Sequence, residues 1–396
     1  MFNDINWVSN NFKGKVSTQG SDNFSSTELK KTLQFHSSIT GYEPTPLHSL
    51  DALAKYLDIN KVFVKDESKR FGLNAFKGLG ASYAIATYFS QTLSVDLNTV
   101  DFNKLGKLAK TLPQVTFATA TDGNHGKGVA WAASHFGQKS KVYMPKGSST
   151  ARLKAIEALG ADACITELNY DDTVQLVADL SSEHDWVLIQ DTAWKGYESI
   201  PLSIMQGYTT IVSEIHEQLE ADTFNEITHV ILQAGVGSFA ASMAASIYNL
   251  ISGSMPKILV VEPSNANCLY QSSKNPEGTP QRVYGDLSTM MAGLACGEPN
   301  PFAWEILKSL SNYFFSCKDQ ISAIGMRILG NPIDSDAKII SGESGSVPMG
   351  LLHELTKNKK LHQLKNELEL DRSAKVLVIN TEGDTDPMNY RKVVWK

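Results

Sequence analysis

Cysteine is scarce in this 396-residue chain. The four present, Cys164, Cys268, Cys296 and Cys317, form no CxxC pair and no Cys/His spacing suited to a metal. So few scattered thiols exclude a disulfide scaffold and read as reduced cysteines of a cytoplasmic protein. Long apolar runs are also missing. No segment offers the roughly 20 apolar residues that a membrane-spanning helix needs. The opening MFNDINWVSNNFKGKV lacks the apolar core of a secretory signal. Basic clusters are absent too: net charge is −6 with no long Lys/Arg run, which disfavours a nucleic-acid or anionic-membrane partner. His216-Glu217 has no second histidine four residues after His216, and no EF-hand loop occurs, so zinc and calcium chemistry find no support. What remains is ordinary globular composition, 42% apolar and 20% charged, in a chain long enough to require more than one core.

Strand and helix patterns then alternate along the chain. KVFVKDE (61–67), VTFATAT (115–121), KVYMP (141–145), ACIT (163–166), WVLIQ (186–190), THVILQAG (228–235), ILVVEP (258–263) and SAKVLVIN (373–380) read as buried strands. The segments 79–89, 128–137, 150–160 and 207–219 read as helices. Such alternation predicts an α/β fold with open, mostly parallel sheets. Glycines and polar residues gather just after the strands, in 70–78, 121–126, 234–238 and 381–386. Open α/β sheets bind ligands in the crevice at those carboxyl ends.

Three of these segments carry chemistry. In Asn74-Ala75-Phe76-Lys77-Gly78, a lysine with apolar or tiny neighbours opens a helix. Burial and helix amides there favour the neutral amine that attacks an aldehyde; most lysines, by contrast, are simply solvated. In Thr121-Asp122-Gly123-Asn124-His125-Gly126, the glycines let amides converge on an anion. The plainer reading of Asp122 is a helix cap. Ala234-Gly235-Val236-Gly237-Ser238-Phe239-Ala240 joins a strand to a helix, where backbone amides bind phosphate. Gly235-x-Gly237-x-x-Ala240, with Glu262 ending the next strand, also matches a dinucleotide fingerprint. Taken locally, that fingerprint predicts an NAD-dependent oxidoreductase as readily as a phosphomonoester site.

The joined segments resemble a known family. AFKG and TDGNHG are similar to the lysine and asparagine loops of tryptophan-synthase-β-like, fold type II pyridoxal-phosphate enzymes. KDESKRFGLNAFKGLGASYA (65–84), FATATDGNHGKGVAWAA (117–133), QDTAWKGYESIP (190–201), MAGLACGEPNP (291–301), SGESGS (341–346) and NTEGDTD (380–386) resemble the diaminopropionate ammonia-lyases. The resemblance implies a two-domain fold with helices on both sheet faces. A large cofactor domain would comprise 1–79 and 191–396, and a small mobile domain, 80–190, would carry the Asn124 loop. It implies pyridoxal 5'-phosphate as cofactor, and α,β-elimination of D- or L-2,3-diaminopropionate through an aminoacrylate to pyruvate and ammonia. It also implies a homodimer.

Residue by residue, the resemblance implies that Lys77 holds the cofactor aldehyde and then serves as a base. Gly235, Val236, Gly237 and Ser238 would cradle the phosphate, Asn124 the ring hydroxyl, and Thr381 the ring nitrogen. Thr121, Gly123 and His125 would meet the substrate carboxylate. Asp122 stands where serine and threonine dehydratases have a small uncharged residue. A carboxylate there suits a β-ammonium group or a second proton transfer. Asp191, after the strand 186–190, is the other acidic candidate, with a structural hydrogen bond as its alternative role. Glu343 is expected either beneath the cofactor or at a helix cap, and Asp384 and Asp386 in structural turns. A dehydratase of the same fold is the nearest rival, and a cofactor-carrying protein without turnover a more remote one.

Overall fold

A computed structural model describes residues 4–15 and 17–396. Among them, eleven strands form two sheets. The strands are β1 (Ile5–Ser9), β2 (Leu47–Ser49), β3 (Lys61–Asp66), β4 (Thr116–Ala120), β5 (Lys139–Met144), β6 (Asp162–Ile165), β7 (Val187–Leu188), β8 (His229–Gln233), β9 (Lys257–Pro263), β10 (Tyr313–Cys317) and β11 (Lys375–Asn380). The larger sheet runs β1-β10-β9-β8-β11-β3-β2 and the smaller β6-β5-β4-β7.

Central strands such as HVILQ and KVLVIN are buried almost end to end. They pair in parallel, as continuous apolar runs do when both sheet faces are covered by helices. Only the edges depart from this: β1 and β2 lie antiparallel to β10 and β3. The smaller sheet is wholly parallel. One apolar core packs the helices Gly78–Leu93, Ser199–Tyr208 and Ser238–Leu250 between the sheets, and a second lies on the far face of the larger sheet.

Two features fix where the site falls. First, the helix Gly78–Leu93 packs tightly on Ser199–Tyr208. A Cβ added at Gly207 would lie 2.5 Å from the Leu79 carbonyl oxygen and 2.8 Å from the Gly80 Cα. No side chain fits between these backbones. Second, β3 runs into a loop whose charged residues are buried. Arg70 donates to Glu67 and to Glu214, Lys65 contacts Glu214 at 2.6 Å, and all four side chains are fully buried. Thr45 and Tyr42 also donate to this cluster. Within that loop Phe71 adopts φ +52° and stacks on Trp131 at 4.7 Å. The loop therefore reaches Lys77 held by ion pairs on one side and an aromatic stack on the other.

Three expected elements differ in extent. The strand at 186–190 shortens to β7, because Gln190 turns its side chain back to hydrogen-bond Ala120 and Thr119. The helix expected over 207–219 is two helices, Ser199–Tyr208 and Thr210–Asn225. The helix expected from 128 begins at Asn124.

Candidate active site

One cleft gathers residues from all four glycine- and polar-rich strand ends. It is lined by Lys77, Thr121, Asp122, Asn124, His125, Asp191, the turn Gly235–Ser238 and Thr381. Gly123, the remaining candidate from the sequence, does not line it. Its amide donates to Thr121 Oγ1 at 2.9 Å, and Gly126 donates to the same oxygen at 3.2 Å. Thr121 thus closes the turn with its lone pairs and keeps its own proton for the cleft. Gly123 has φ +148°, and a Cβ there would press on Arg152 Cδ at 2.9 Å.

Lys77 stands against Asp191, whose Oδ2 accepts from Nζ. Burial opposes the charge on both groups, yet each holds the other ionised. Asp191 raises Lys77 above the ordinary lysine range, and Lys77 holds Asp191 at about 2. The sequence favoured a neutral amine; the Asp191 carboxylate, 114 residues away in sequence, is in direct contact with Lys77 and favours its charged form. Ser238 Oγ donates to the Asp191 carbonyl at 2.8 Å and accepts from Asn300 at 2.9 Å. That hydroxyl is therefore occupied in tying Asp191 to the glycine turn, which leaves the backbone as the donor set of the turn.

His125 Nε2 lies 2.7 Å from the Ile189 carbonyl, so it carries the proton, and Nδ1 faces Asp191 Oδ2 at 4.0 Å. Burial pushes its pKa down. A neutral ring with a bare Nδ1 offers a substrate carboxylate no donor from His125, which leaves the Thr121 hydroxyl and the amides at this helix start. Asn124 Nδ2 donates to Glu382 at 2.5 Å, and Glu382 also accepts from the Ser344 amide at 2.8 Å. Thr381 Oγ1 accepts from Gln233 Nε2 at 2.8 Å, while the other Nε2 proton goes to the Ile379 carbonyl at 2.9 Å. The Thr381 hydroxyl has no acceptor of its own among the described residues, so its proton is free to donate into the cleft it lines.

Asp122 makes no cap. Its Oδ2 is buried without a hydrogen-bond partner and faces Arg152 Nη1 at 3.7 Å. Glu343 begins the helix Glu343–Lys357, accepts from Asn389 and faces Arg152 Nη2 at 3.8 Å. Asp386 caps the helix Pro387–Val394, and Asp384 accepts from Asn74. Cys268 and Cys296 are buried free thiols. Glu262, the candidate for a ribose hydroxyl, accepts from the amides of Leu269 and Tyr270 at 2.9 and 2.6 Å. It is fully buried and spent on a helix start, which removes the dinucleotide reading's second element.

Glu382, Gln233, Ser344, Tyr170 and Arg152 are site residues that sequence patterns do not single out. Only the glycine and polar density around positions 341–346 and 381–386 pointed toward two of them.

The cleft fits pyridoxal phosphate. Its buried polar atoms without partners, Asp122 Oδ2, Asn124 Oδ1, His125 Nδ1 and Gln233 Oε1, await a polar occupant. The amides of Gly235, Val236 and Gly237 find no acceptor among the described residues and precede the helix Ser238–Leu250. An anion is favoured there by the amides and the helix dipole together. Lysine, outward hydroxyl and anion cradle around one cleft define a pyridoxal-phosphate-dependent enzyme of the α/β, fold type II class. The pyridoxal-phosphate dependent enzyme family profile matches residues 39–382. Diaminopropionate ammonia-lyase of Escherichia coli strain K12 is 48% identical over 373 residues, 94% of this chain and 92% of that protein. The crystal structure of the holo form of the Escherichia coli enzyme superposes with TM-score 0.92 at 46% identity, covering 99% of this chain and 96% of that one. Its complex with an aminoacrylate-PLP azomethine reaction intermediate superposes with TM-score 0.90 at 46% identity, covering 99% and 97%. The chain belongs to the diaminopropionate ammonia-lyase family.

Proposed function

We propose that this enzyme eliminates the β-amino group of 2,3-diaminopropionate, giving pyruvate and ammonia. The observation that carries the reading is the pair of acidic groups, Asp191 on Lys77 and Asp122 across the cleft, facing one lysine amine and one anion cradle. Pyridoxal phosphate, when bound, supplies an aldehyde carbon for an amine and a conjugated ring that takes up electron density from the substrate α-carbon. The chain does the rest. Lys77 Nζ, as a free amine, serves as a base at the α-carbon from its own side, and the Asp191 carboxylate stabilises the ammonium that results. The Asp122 carboxylate holds the β-ammonium and takes part in proton transfer from the other side. The Thr381 hydroxyl would meet the ring nitrogen as a neutral hydrogen-bonding partner rather than a charged one. The amides of Gly235–Gly237 bind the phosphate, Asn124 binds the ring hydroxyl, and the Thr121 hydroxyl with the amides of Asn124 and His125 holds the carboxylate.

The same proposal includes closure. The smaller sheet lies wholly within 116–188 and brings Asp122 and Asn124, while Lys77, the glycine turn and Thr381 come from the larger one. Residues 80–190 would close on 1–79 and 191–396 to exclude water. A homodimer, and a cytoplasmic setting suited to four free thiols, belong to this reading as well. Among the described residues no helix is long and apolar enough to cross a membrane.

The test follows pyruvate release from each isomer of 2,3-diaminopropionate by cofactor-saturated protein. Parent enzyme should release it, and Asp122→Asn and Asp191→Asn should lower turnover unequally on the two isomers. Equal small effects would remove the two-acid arrangement. A saturated enzyme active on serine or threonine but inert to diaminopropionate would make it a dehydratase, a reading that the Asp122 carboxylate disfavours.

A further inference from the structure

Behind Asp122 lies a second, polar cavity that the reaction as derived does not use. It is lined by Arg152, Glu343, Asp386, Asn389 and Lys146, and shares Asp122 with the cleft. Arg152 comes from the helix Thr150–Glu157, and its side chain is only 8% exposed. Its stem lies against Gly123, where a Cβ would be 2.9 Å from Cδ. Its head sits between two carboxylates without hydrogen-bonding either, 3.7 Å from Asp122 and 3.8 Å from Glu343, and its Nε is buried without a partner. Surface arginines do not adopt such a position. A guanidinium taken out of water needs compensating charge, and here that charge includes the acid the reaction depends on.

We propose that Arg152 is a positioning residue that keeps the Asp122 carboxylate ionised and aimed into the cleft. The inference rests on the role given to Asp122 above. No hydrogen bond fixes Oδ2 in its charged form, so the surrounding field decides. Burial favours the neutral acid, Arg152 opposes this, Glu382 and Asp191 favour it further, and Lys77 adds to Arg152's effect. Lys77 is already engaged by Asp191, which leaves Arg152 to hold the charge. Burial opposes the charge on Arg152, and Asp122, Glu382, Glu343 and Asp386 together hold it ionised in turn. Tyr170, His125 and Cys296 face the same carboxylate, and burial keeps all three neutral.

The variants are Arg152→Gln, Arg152→Lys and Asp122→Asn, each loaded to saturation as judged by its visible absorbance. Turnover of both diaminopropionate isomers is followed from pH 6 to 10. An opposite charge within ~4–6 Å moves a carboxyl group by about 1–3 pH units. Arg152→Gln should therefore lose turnover toward the acid end and recover as pH rises, its acid limb displaced upward by about 1–3 pH units. Arg152→Lys should restore the parent's limb. A loss by one constant factor at every pH, or an unmoved limb, would overturn the inference while the Asp122 reading stands, provided Asp122→Asn is impaired. Parent-like turnover in Asp122→Asn on both isomers would end that reading and the inference with it. Should Arg152→Gln fail to fold, Arg152→Lys decides alone: a parent-like limb supports the assignment and a flat loss overturns it.

Discussion

Asp191→Asn should make the protein a faster acceptor of cofactor and a slower catalyst. The Asp191 carboxylate in contact with Lys77 favours its ammonium form, and an ammonium has no lone pair with which to attack an aldehyde. Burial opposes the charge on Lys77, and Asp191 is the main group that outweighs it. Replacing the carboxylate with a neutral amide leaves burial the dominant influence. Removing an opposite charge at contact lowers a lysine's pKa by about 1–3 units, and each unit raises the neutral fraction about tenfold below saturation. Mixing stripped protein with pyridoxal phosphate and following the visible band gives the capture rate. At pH 7 this should rise by at least about tenfold in Asp191→Asn, with a flatter dependence on pH. Turnover should fall by about 10²–10⁴, the usual contribution of a placed acid–base group. Asp191→Glu, which keeps the charge, should capture slowly like the parent. The reasoning is refuted if Asp191→Asn captures no faster than the parent and shows the same slope with pH. The pair also has a stability signature. Asp191's share is present above its ordinary 3.8 and lost as pH falls toward about 2; Lys77's is present below 10.5 and lost above its raised value.

Glu214→Gln should destabilise by about 3–5 kcal/mol in urea unfolding, because it strips Arg70 and Lys65 of a fully buried partner. Burial would raise the Glu214 carboxyl, but Arg70 and Lys65 hold it at about 2. Its contribution is therefore present above 4.5 and lost as pH falls toward 2, and the variant's acid unfolding should be less steep; an unchanged midpoint in urea would dismiss the cluster as a stabiliser. Gly207→Ala should cost about 1–3 kcal/mol by overpacking and slow turnover, since the backbone it strikes leads back to Lys77; parent-like melting and turnover would count against that coupling. Thr381→Val should leave the buried Gln233 amide half-paired, costing about 1–3 kcal/mol, and should shift the visible band of the bound cofactor. An unshifted spectrum would place the Thr381 hydroxyl away from the ring.

The central strands β3, β8, β9 and β11 were legible because they are nearly unbroken apolar runs, as burial on both faces requires, whereas β10, parallel to β9, went unread. Nor were the edge strands legible. β1 leaves Trp7 exposed and β2 has three residues, so neither carries a pattern strong enough to read. The helix Ser199–Tyr208 was hidden by Pro201 near its start and Gly207 near its end, two residues that usually mark turns. At the site, Lys77, Asn124 and the Gly235 turn announce themselves locally, since close backbone approach requires glycine nearby. Glu382 and Gln233 matter through partners 258 and 148 residues away, and no local pattern records such a pairing. The contact between Lys77 and Asp191, 114 residues apart, is another such pairing.

The order of strands in the larger sheet bears on how the protein is made. β11, last of the described strands in sequence, lies between β8 and β3. About 300 residues separate it from β3, so at ~5–20 residues per second the ribosome leaves β3 without that neighbour for roughly 15–60 s. During that interval the half-sheet exposes an open backbone edge to anything nearby. Thr381 and Glu382 arrive with the same strand, so a chain still being synthesised has no complete seat for its cofactor. Loading of the vitamin-derived group is thereby deferred until the sheet has closed, and a prematurely terminated product would be both inert and prone to aggregate.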